Sequence, residues 1–541
     1  MTSAIQNNIH KSPTPQPIIY TIAGSDSGGG AGIQADLHTI HDMGGFGCTA
    51  VTALTAQNSV GVTAIHSPPP SFLRAQLDCL QSDLPFDSLK IGMLGNQETI
   101  NCVADWLDSV LLPGKLGRTV VLDPVMISTS GSRLITEDAQ EALVSRLFKH
   151  ADIVTPNIHE ASALVGYQVD RSNAERAARD ILDMGCKAVL IKGGHMEEGP
   201  RTSNGEGRND TVGVAMDLYL EGGDVGSGRL CDSVGGVRGV WIKGPRYDSV
   251  NTHGTGCTLS SAIATSLGWS RVALGGKSLD GCGVDAVVEG KGYVGRGIEG
   301  GRRRGEGPGP VGHEGRMGRR HCPWIGGGGE EEGEFERVDE LDKVIYVVGD
   351  MEDLRNVVEG GGREVQLRYK GDGDVGSVVR SATEYCRARG GVRLWVNDHW
   401  EAAVEHGAYG VHLGQEDLRG FVEGGGAERV RGRGVKLGIS THSVAELAVA
   451  KGLRPSYVSL GPVYETSSKE VAFGARGLEQ VERWRELVDE GTPLVAIGGI
   501  NTMERGREVR RRGAEAVAVL GIVKGKGKDE VKSIIEDWRG L

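Results

Sequence analysis

Apolar runs alternate with segments of helical spacing through the first half of the chain. The runs cover residues 18–23, 88–93, 119–122, 153–155 and 188–191, and segments such as 137–148 and 173–184 have helical spacing. This alternation predicts an α/β fold with an open, mostly parallel sheet and helices on both of its faces. In such sheets, ligands bind beyond the carboxyl ends of the strands.

The second half repeats the pattern on a shorter period. Eight apolar bursts, most of them separated by helical segments, cover residues 344–348, 365–367, 393–396, 410–412, 436–439, 457–460, 494–497 and 516–520. Eight strand–helix units of this length predict a compact (β/α)8 TIM barrel, with function expected at the carboxyl ends of its strands.

Composition narrows the functional class. The chain has 541 residues, a formal net charge of −12 and nine cysteines without a C-x-x-C pair. The charge disfavours a nucleic-acid partner, and the cysteines indicate a reducing compartment rather than a disulfide framework or a zinc site. No run approaches the roughly 18 apolar residues of a membrane span, and residues 1–17 resemble neither a signal nor a transit peptide. We therefore expect small-molecule partners and a cytoplasmic protein, or a plastid one if the source is photosynthetic.

Glycine is over-represented and unevenly spread. The chain has 86 glycines, of which 21 lie within residues 271–333. The later part of this stretch is predicted to be a flexible linker. The chain is then divided into a disordered tail (1–17), a first domain (18–299), the linker (300–338) and a second domain (339–541). The alternative is that glycines replace ordinary residues in a helix around 284–298, at about 1 kcal/mol per exposed site.

Groups suited to phosphate chemistry follow the predicted strands of the first half. They are the Gly-rich turn 24–32, Asp123, Asn157 and Glu160. Each also has a plain structural explanation, since such a turn is often only flexible and an acid at a strand end is often a helix cap. The turn from His253 to Cys257 is more specific, because small residues before the helical stretch 258–267 expose backbone N–H groups to a phosphoryl group.

These motifs, in this order, resemble the hydroxymethylpyrimidine/phosphomethylpyrimidine kinases, which are members of the ribokinase-like family. The match runs from about residue 18 to 273, with a weaker continuation at 307–313. Its main pieces are Asn251-Thr252-His253-Gly254-Thr255-Gly256-Cys257, Thr52-Ala53-Leu54-Thr55-Ala56-Gln57-Asn58 and Lys192-Gly193-Gly194-His195. Ribokinase relatives usually have an Asp base in the first of these turns, where this chain has the Cys of the pyrimidine kinases. Stretches 196–213 and 222–237 are expected to be surface insertions.

The resemblance implies a role for each matching residue. Cys257 is the implied base, with its thiolate favoured by the helix N-terminus, and Lys192 is expected on the nucleotide side, with ATP as co-substrate. Asn157 and Glu160 match the family's N-x-x-E magnesium motif. The other implied positions are Gly254 and Gly256 in the catalytic turn, and Asp36, Gln57 and Met93 in the pyrimidine pocket. The family phosphorylates its substrate twice, first the alcohol and then the monophosphate.

Chemistry-capable groups also gather at the predicted strand ends of the second half. They are Gln366, Arg368, Lys370, Asn397, Asp398, Gln415, Asp417, Ser440, Thr441, Thr466, Lys469, Gly498, Gly499 and Gly521. Any one of them is more simply a solvated surface residue, but the whole set is hard to obtain by chance. Two acids from different strands suit one Mg²⁺, the cations suit a pyrophosphate, and the glycines after strands seven and eight suit backbone binding of phosphate.

This set resembles thiamine-phosphate synthase over about residues 341–524. The matching pieces are Gln366-Leu367-Arg368-Tyr369-Lys370, Val396-Asn397-Asp398, the stretches 410–417, 438–442 and 461–469, and Val495-Ala496-Ile497-Gly498-Gly499-Ile500. By resemblance, Asp398 and Asp417 bind Mg²⁺. The pyrimidine pyrophosphate is then held by Gln366, Arg368, Lys370, Asn397, Ser440 and Lys469, and the thiazole phosphate by Thr466, Ser467, Ser468 and Gly477.

One position departs from the synthase pattern. At the end of strand eight many synthases carry a Ser that binds the thiazole phosphate, where this chain has Gly521 after Leu520. Backbone N–H groups remain, so we expect weakened binding of the thiazole phosphate rather than loss of activity.

Together the two halves predict a bifunctional enzyme of thiamine biosynthesis, in which one half makes the pyrimidine pyrophosphate that the other consumes. The flexible linker favours diffusion of this intermediate at raised local concentration. Two alternatives stay open, namely an active kinase joined to an impaired barrel, and a pyrimidine or thiamine sensor without turnover. The kinase fold also allows pyridoxal phosphorylation as a side activity, and the sequence is compatible with a homo-oligomer.

Overall fold

The computed structural model describes residues 15–111, 118–126, 135, 137–194, 211–222, 239–275, 281–326, 333–338, 340–465 and 474–541. These residues form two compact units, of which the first reaches Met317 and the second begins at Gly318. Within these ranges, no helix combines the length and the apolar character that crossing a membrane requires. The predicted tail and both predicted insertions lie outside the described residues, apart from their last or first few positions.

The first unit is an open sheet flanked by helices. Its strands are β1 (Ile18–Ser25), β2 (Phe46–Gln57), β3 (Val62–His66), β4 (Ser88–Ile91), β5 (Thr119–Leu122), β6 (Ile153–Val154), β7 (Ala188–Ile191), β8 (Thr211–Glu221) and β9 (Val240–Tyr247). They are hydrogen-bonded in the order β9-β8-β7-β6-β5-β4-β1-β2-β3. Strands β3, β8 and β9 pair antiparallel and the others parallel, which confirms the predicted open, mostly parallel sheet.

Helices cover this sheet. They are α1 (Gly32–Asp42), α2 (Pro70–Asp83), α3 (Gln97–Val110), α4 (Glu137–Ala142), α5 (Ile158–Val165), α6 (Ala174–Leu182), α7 (Thr255–Ala273) and α8 (Cys282–Gly300). Because helices shield the central strands, these strands are buried along their whole length and read as continuous apolar runs. The rings of Tyr20, Phe86 and Trp106 pack together in the core.

The second unit is a closed barrel of eight parallel strands. The strands are β11 (Val344–Val348), β12 (Glu364–Leu367), β13 (Arg393–Asn397), β14 (Gly410–Leu413), β15 (Lys436–Thr441), β16 (Tyr457–Leu460), β17 (Leu494–Ile497) and β18 (Ala516–Leu520), and a short strand, β10 (Trp324–Ile325), precedes them. Strand β18 pairs with β11 and closes the ring. All eight predicted bursts fall on these strands, which confirms the TIM barrel.

The helices of the second unit follow its strands. They are α9 (Met351–Glu359), α10 (Val375–Arg389), α11 (Trp400–His406), α12 (Gln415–Glu423), α13 (Gly426–Gly432), α14 (Val444–Leu453), α15 (Leu478–Leu487), α16 (Met503–Arg511) and α17 (Lys528–Trp538). Several begin at a side-chain cap. Asp350 accepts hydrogen bonds from the first turn of α9, Ser443 from that of α14 and Thr502 from that of α16. These caps fix where each loop at the carboxyl end of the barrel gives way to a helix.

The structure differs from the predicted flexible linker at 300–338. In the first unit, the Gly309 N–H donates to the carbonyl of Val250 and the Gly312 N–H to that of Gly297. A side chain at Gly307 would overlap the backbone of Ser59, so this glycine is needed for close packing. In the second unit, strand β10 packs against α14. The glycines of the described part therefore serve close approach of the backbone, and the predicted linker is shorter than its composition indicated.

The alternative interpretation of this glycine-rich region is confirmed by α8, which contains six glycines at positions 283, 290, 292, 295, 297 and 300. Glycine in a helix interior destabilises the helix by roughly 0.5–1 kcal/mol relative to Ala. Packing explains some of them. A Cβ at Gly297 would lie 2.6 Å from the Gly312 carbonyl oxygen, whereas a Cβ at Gly295 would meet the Tyr247 ring at an ordinary 3.5 Å.

We expect Gly295→Ala and Gly297→Ala to have opposite effects on α8. The first removes a helix-destabilising glycine without a clash, so it should stabilise the helix by roughly 0.5–1 kcal/mol. The second forces the Gly312 backbone away and should destabilise the helix. Amide hydrogen exchange of the α8 peptides, followed by mass spectrometry, measures both locally. Faster exchange in Gly295→Ala would contradict the packing argument.

Candidate active sites

The catalytic turn predicted at 251–257 joins β9 to α7. Gly254 precedes the helix with φ of +80°, and a side chain there would overlap the Gly30 carbonyl. The turn is therefore restricted to glycine both by conformation and by its contact with the Gly-rich turn. A Cβ at Gly256 would lie 3.3 Å from Lys192 Nζ and 3.5 Å from Asp123 Oδ2. The structure thus brings the N-terminus of α7 next to Lys192, as a phosphoryl-transfer site requires.

Lys192 is the centre of a buried charged cluster. Its Nζ lies 2.8 Å from Asp123 Oδ1 and 3.9 Å from Glu160 Oε2. The Thr155 hydroxyl donates to Asp123 at 3.2 Å. Burial, with the Asp123 charge adding to it and Lys192 opposing it, raises the pKa of Glu160 to about 7. This cluster holds the Lys192 ammonium group between two carboxylates. An added negative charge nearby would compete with these carboxylates for Lys192.

Asn157 and Glu160 form a reciprocal cap at the start of α5. The Asn157 side chain accepts from the Glu160 N–H at 2.9 Å, and Glu160 Oε2 accepts from the Asn157 N–H at 2.8 Å. The structural explanation, a helix cap, therefore holds for both residues. Their predicted magnesium role has to be reconciled with this cap.

The thiol of Cys257 is partly exposed in the first turn of α7. Burial raises its pKa to about 11, with Asp36 and Asp123 adding to the rise and Lys90 opposing it. This differs from the expectation that the helix N-terminus favours the thiolate. Burial is the largest cause of this rise, and the opposing charge of Lys90 does not offset it.

Asp36 lies in a buried ion pair that the sequence did not reveal. Both its oxygens accept from Lys90 Nζ at 2.8–2.9 Å, and it also accepts from the hydroxyls of Thr21 at 2.6 Å and Ser261 at 2.8 Å. Burial of Lys90 disfavours its positive charge, but the charge of Asp36 opposes this effect and the pKa of Lys90 is raised. The signal that was missed is a lysine inside the otherwise apolar strand β4, since such a residue is almost never fully buried without a partner.

The Gly-rich turn at 24–32 closes on a carboxylate of its own. Asp26 accepts from the N–H groups of Gly28, Gly30 and Ala31 at 2.7–3.2 Å and from His253 Nε2 at 3.0 Å. Burial alone would raise the pKa of Asp26, but the bonds from His253 and the backbone lower it. These N–H groups are thus occupied by Asp26, and the turn serves to hold His253 in the catalytic turn.

The predicted pyrimidine pocket residues lie at the ends of neighbouring strands. Gln57 ends β2, and its backbone N–H donates to Ser27 Oγ at 2.8 Å. The Met93 carbonyl accepts from the Thr52 hydroxyl at 2.6 Å, and the Met93 sulfur approaches Gly24. Gln57 at the end of β2 and Met93 just after β4 therefore lie at the carboxyl edge of the sheet, on either side of β1.

The segment after α8 supports the catalytic turn from behind. The His253 N–H donates to the Gly309 carbonyl at 3.0 Å, and the Val311 N–H donates to the His253 carbonyl at 3.2 Å. The Asn251 side chain donates to the Gly301 carbonyl at 2.7 Å. The weak match at 307–313 thus has a structural role, which its separation from the turn in sequence concealed.

In the second unit, polar side chains meet at the carboxyl ends of β12 and β13. Gln366 Nε2 donates to Asn397 Oδ1 at 2.7 Å inside the barrel, and Lys370 Nζ lies 2.6 Å from Asp398 Oδ2. Arg368 is half-buried directly after β12, where its N–H donates to the Val348 carbonyl. The structure therefore brings four of the predicted pyrophosphate-site residues together.

Asp398, directly after β13, and Asp417, in the first turn of α12, are close enough for their charges to interact. Burial opposes ionisation of Asp398, but Lys370 lowers its pKa, while burial and the Asp398 charge raise the pKa of Asp417 to about 6. Asp398 has φ of +67°, a left-handed conformation that is uncommon outside glycine. Strained backbone and paired carboxylates at one place are typical of a functional site.

Ser440 ends a chain of hydrogen bonds that crosses the barrel interior. Its hydroxyl lies 2.8 Å from His412 Nε2, and His412 Nδ1 lies 2.6 Å from the Tyr457 hydroxyl. Gln415 Nε2 donates to the Ser440 carbonyl at 2.6 Å. Burial lowers the pKa of His412 to about 4. From the sequence alone, His412 is included only within the matching stretch 410–417, because its position in β14 does not identify its hydrogen-bond partners.

The predicted phosphate-binding glycines adopt left-handed backbone conformations. Gly498 and Gly499 follow β17 with φ of +97° and +66°, Gly477 precedes α15 with +79°, and Gly521 follows β18 with +88°. Leu520 before it is 37% exposed. Thr466, Ser467, Ser468 and Lys469 lie outside the described residues.

Within the part of the chain that the structure describes, no group of three or more His, Cys, Asp or Glu side chains is arranged to hold a metal ion. Among these described side chains, a divalent cation at either site would have at most two His, Cys, Asp or Glu ligands. That arrangement suits Mg²⁺, which usually keeps several waters and takes its other ligands from substrate phosphates.

Comparisons with known proteins divide the chain in the same way. The family model described as phosphomethylpyrimidine kinase matches residues 26–312, and the one described as thiamine monophosphate synthase matches residues 348–523. A probable chloroplastic thiamine biosynthetic bifunctional enzyme of Oryza sativa subsp. japonica is 34% identical over 508 residues, which is 90% of this chain and 82% of the rice protein.

Two further relatives show the same similarity. A chloroplastic thiamine biosynthetic bifunctional enzyme of Arabidopsis thaliana is 31% identical over 507 residues, covering 90% of this chain and 85% of that protein. A hydroxymethylpyrimidine/phosphomethylpyrimidine kinase of Haemophilus influenzae is 43% identical over 250 residues, covering 46% of this chain and 82% of that protein.

Proposed function

We propose a residue-by-residue division of labour for this chain, which belongs to the phosphomethylpyrimidine kinase family and to the thiamine biosynthetic bifunctional enzymes. It is a bifunctional thiamine biosynthesis enzyme with a pyrimidine kinase domain and a thiamine-phosphate synthase domain. The first unit phosphorylates hydroxymethylpyrimidine and its monophosphate at the expense of ATP. The second joins the resulting pyrophosphate to thiazole phosphate, giving thiamine monophosphate and pyrophosphate.

The observation that carries this proposal is that the barrel mouth suits the product of the kinase reaction. The kinase reaction yields a diphosphate, and the barrel mouth presents Lys370 beside a carboxylate pair at the ends of β13 and β14. Cations and a metal-binding pair at one place are what a diphosphate leaving group requires.

In the kinase, Cys257 accepts the proton of the substrate hydroxyl, and the backbone N–H groups at Gly254 and Gly256 face the transferred phosphoryl group. Lys192 turns from Asp123 toward the nucleotide phosphates, since their added charge competes with the carboxylate for it. Asp36, Gln57 and Met93 hold the pyrimidine. Because Asp36 is fully engaged by Lys90, Thr21 and Ser261, it fixes the pocket wall through its position in α1.

Asn157 and Glu160 fit a magnesium role only through water or a rearranged cap. Glu160 Oε2 and the Asn157 side chain already bond each other's backbone. The raised pKa of Glu160 nevertheless marks a carboxylate that would gain from a nearby cation. Mg²⁺, when bound, offsets charge on the phosphate oxygens.

In the synthase, Asp398 and Asp417 fit a divalent cation well. The charge of Asp398 opposes ionisation of Asp417, so a cation beside both carboxylates is favourable, and Lys370 already supplies part of that positive charge. Gln366, Arg368, Asn397 and Ser440 hold the pyrimidine pyrophosphate, and the predicted contribution of Lys469 completes the cationic side. The barrel excludes water while the bond from the pyrimidine methylene carbon to pyrophosphate breaks and the thiazole nitrogen attacks the pyrimidine-methyl cation so formed.

The thiazole phosphate is assigned to backbone groups around Gly477, Gly498, Gly499, Leu520 and Gly521, together with Thr466, Ser467 and Ser468 as predicted. A comparison of the wild type with Gly521→Ser and Gly521→Ala tests the role of Gly521. A Cβ there meets nothing within 4 Å, but φ of +88° costs any L-residue roughly 1–2 kcal/mol. Gly521→Ala carries this strain without a hydroxyl, so it is the matched control for Gly521→Ser.

We expect Gly521→Ser to have a KM for thiazole phosphate about tenfold below that of Gly521→Ala, since a hydrogen bond to a charged group contributes about 1.5–3 kcal/mol. Its KM should also fall below that of the wild type. Steady-state coupling assays with supplied pyrimidine pyrophosphate measure all three proteins. Equal KM values in wild type and Gly521→Ser would refute weakened phosphate binding at this position.

A one-pot reaction tests the proposed function as a whole. The full chain receives hydroxymethylpyrimidine, Mg-ATP and thiazole phosphate, and mass spectrometry follows each intermediate. Thiamine monophosphate is the expected product. Accumulation of pyrimidine pyrophosphate would instead indicate an impaired barrel, and binding without any product would indicate a sensor. The expected compartment, cytoplasm or plastid, stays a prediction, although both plant relatives are described as chloroplastic.

A further inference from the structure

A buried hydrogen-bonded chain links the barrel interior to one of the proposed substrate contacts. Tyr457 on β16 contacts His412 on β14, and His412 contacts Ser440 on β15. Tyr457 is 1% exposed and His412 7% exposed, whereas Ser440 faces the barrel mouth and is partly exposed. The series of hydrogen bonds therefore runs from the buried interior of the barrel to the position where the pyrophosphate-bearing substrate is proposed to bind.

Hydrogen-bond accounting fixes the direction of this chain. The phenol hydrogen of Tyr457 needs an acceptor, and among the described residues the one that its hydroxyl contacts is His412 Nδ1. If Nδ1 carried a hydrogen, the buried phenol hydrogen would be left without a partner, which is costly. Tyr457 therefore donates to Nδ1. A neutral imidazole has one N–H, so its hydrogen lies on Nε2.

The Nε2–H of His412 then donates to the Ser440 hydroxyl oxygen at 2.8 Å. An oxygen that accepts this bond directs its own hydrogen elsewhere. Among the described residues, the Ser440 hydroxyl also contacts the Ser459 hydroxyl at 3.3 Å, which is a long distance for two hydroxyls. The Ser440 hydrogen is thus available to an acceptor at the barrel mouth, such as an anionic phosphate oxygen.

We infer that Tyr457 and His412 are positioning residues that commit the Ser440 hydroxyl to donate a hydrogen bond to the substrate pyrophosphate. This rests on the proposed role of Ser440 in the synthase reaction. Neither Tyr457 nor His412 touches the substrate in this arrangement. They act by preventing the Ser440 hydroxyl from donating its hydrogen to His412 inside the protein.

The position of the Tyr457 ring does not depend on its hydroxyl. The ring packs edge-on against Trp395 with centroids 4.8 Å apart, and it stacks on His412 at 5.6 Å. Gly438 lies so close to this ring that a side chain there would overlap it. Tyr457→Phe therefore removes the phenol oxygen and leaves the packing in place.

The test is a double-mutant cycle in the full chain with Tyr457→Phe, Ser440→Ala and the double variant, assayed for coupling of supplied pyrimidine pyrophosphate with thiazole phosphate. We expect Tyr457→Phe to lower kcat/KM about tenfold, and Ser440→Ala to lower it at least as much. The double variant should match Ser440→Ala within about twofold. Tyr346→Phe, a buried tyrosine on β11, is the matched control and should leave coupling unchanged. Losses that multiply in the double variant would overturn the inference, as would full activity of Tyr457→Phe.

A spectroscopic readout separates this inference from the proposed function. In protein labelled with ¹⁵N in its imidazole groups, the signals that vanish in His412→Gln belong to His412. We expect the tautomer protonated at Nε2 in the wild type, and a mixture of tautomers in Tyr457→Phe. A wild-type tautomer protonated at Nδ1 would overturn the inference whatever the activity. The expected tautomer without any coupling activity would place the failure in the proposed function and would leave Ser440 a donor without a substrate.

Discussion

Cys257→Ala should lower pyrimidine phosphorylation by about 10²–10⁴-fold, the usual contribution of a general base, and leave coupling of supplied pyrimidine pyrophosphate unchanged. The thiol lies in the first turn of α7, beside the backbone N–H groups that face the transferred phosphoryl group. Removing it takes away the proton acceptor but none of the groups that bind the nucleotide. The KM for ATP should therefore stay close to that of the wild type while kcat falls.

The same residue predicts a pH dependence. Burial raises the pKa of the Cys257 thiol to about 11, so the thiolate is the minor form at neutral pH. Below that pKa the thiolate fraction grows about tenfold for each pH unit. The kcat/KM of the kinase should therefore rise between pH 7 and 9 in the wild type, and the residual rate of Cys257→Ala should not follow that rise.

Cys282→Ala is the matched control. Cys282 begins α8 and, like the α7 turn, follows a glycine in the left-handed conformation, since Gly281 has φ of +77° and Gly254 +80°. A kinase that loses activity equally in both variants would indicate general thiol sensitivity rather than a specific base. Loss of coupling in Cys257→Ala would contradict the assignment of the two reactions to separate sites.

The sequence was sufficient for the elements because local pattern and burial agree. All eight barrel strands begin or end within a few residues of their predicted positions, since buried parallel strands are mostly apolar. In the first unit, β2 and β3 were not predicted, and neither were the antiparallel strands β8 and β9. Gly213 and Gly239 interrupt their ends, and Lys243 and Arg246 give β9 the texture of a surface segment.

The sites were predictable as sets of residues but not as electrostatic environments. Strand ends predicted that Gln366, Lys370, Asn397 and Asp398 lie at one mouth of the barrel, and the structure adds the pairs Gln366–Asn397 and Lys370–Asp398. The sequence did not reveal that Lys90 balances Asp36, nor that carboxylates near Cys257 raise its pKa. Such effects depend on contacts between distant strands, which local spacing does not record. The length of the linker was misjudged for a related reason, because glycines that permit close packing and glycines that permit flexibility look alike in composition.

Asp398→Asn should produce the opposite result to Cys257→Ala. We expect coupling to fall about 100-fold or more, the scale of losing one electrostatic contact to developing charge, while both phosphorylations continue at the wild-type rate. The substitution is nearly isosteric. It also suits the backbone, since Asp398 has φ of +67° and Asn is among the residues that tolerate this region best. The loss should therefore report charge and metal binding rather than misfolding.

A control variant, Asp372→Asn, and a Mg²⁺ titration test the role of the Asp398 charge. Asp372 lies exposed in the loop after β12, so Asp372→Asn removes a nearby charge that no proposed ligand uses, and it should leave coupling unchanged. Without the Asp398 charge, the pKa of Asp417 should fall, because that charge is one of the causes of its rise. Asp417 alone then binds Mg²⁺ weakly, and raising the Mg²⁺ concentration should restore part of the coupling rate in Asp398→Asn but not in an Asp398→Asn/Asp417→Asn double variant. Loss of phosphorylation together with coupling in Asp398→Asn would mean that the two active sites are not independent, and the two-site assignment would have to be abandoned.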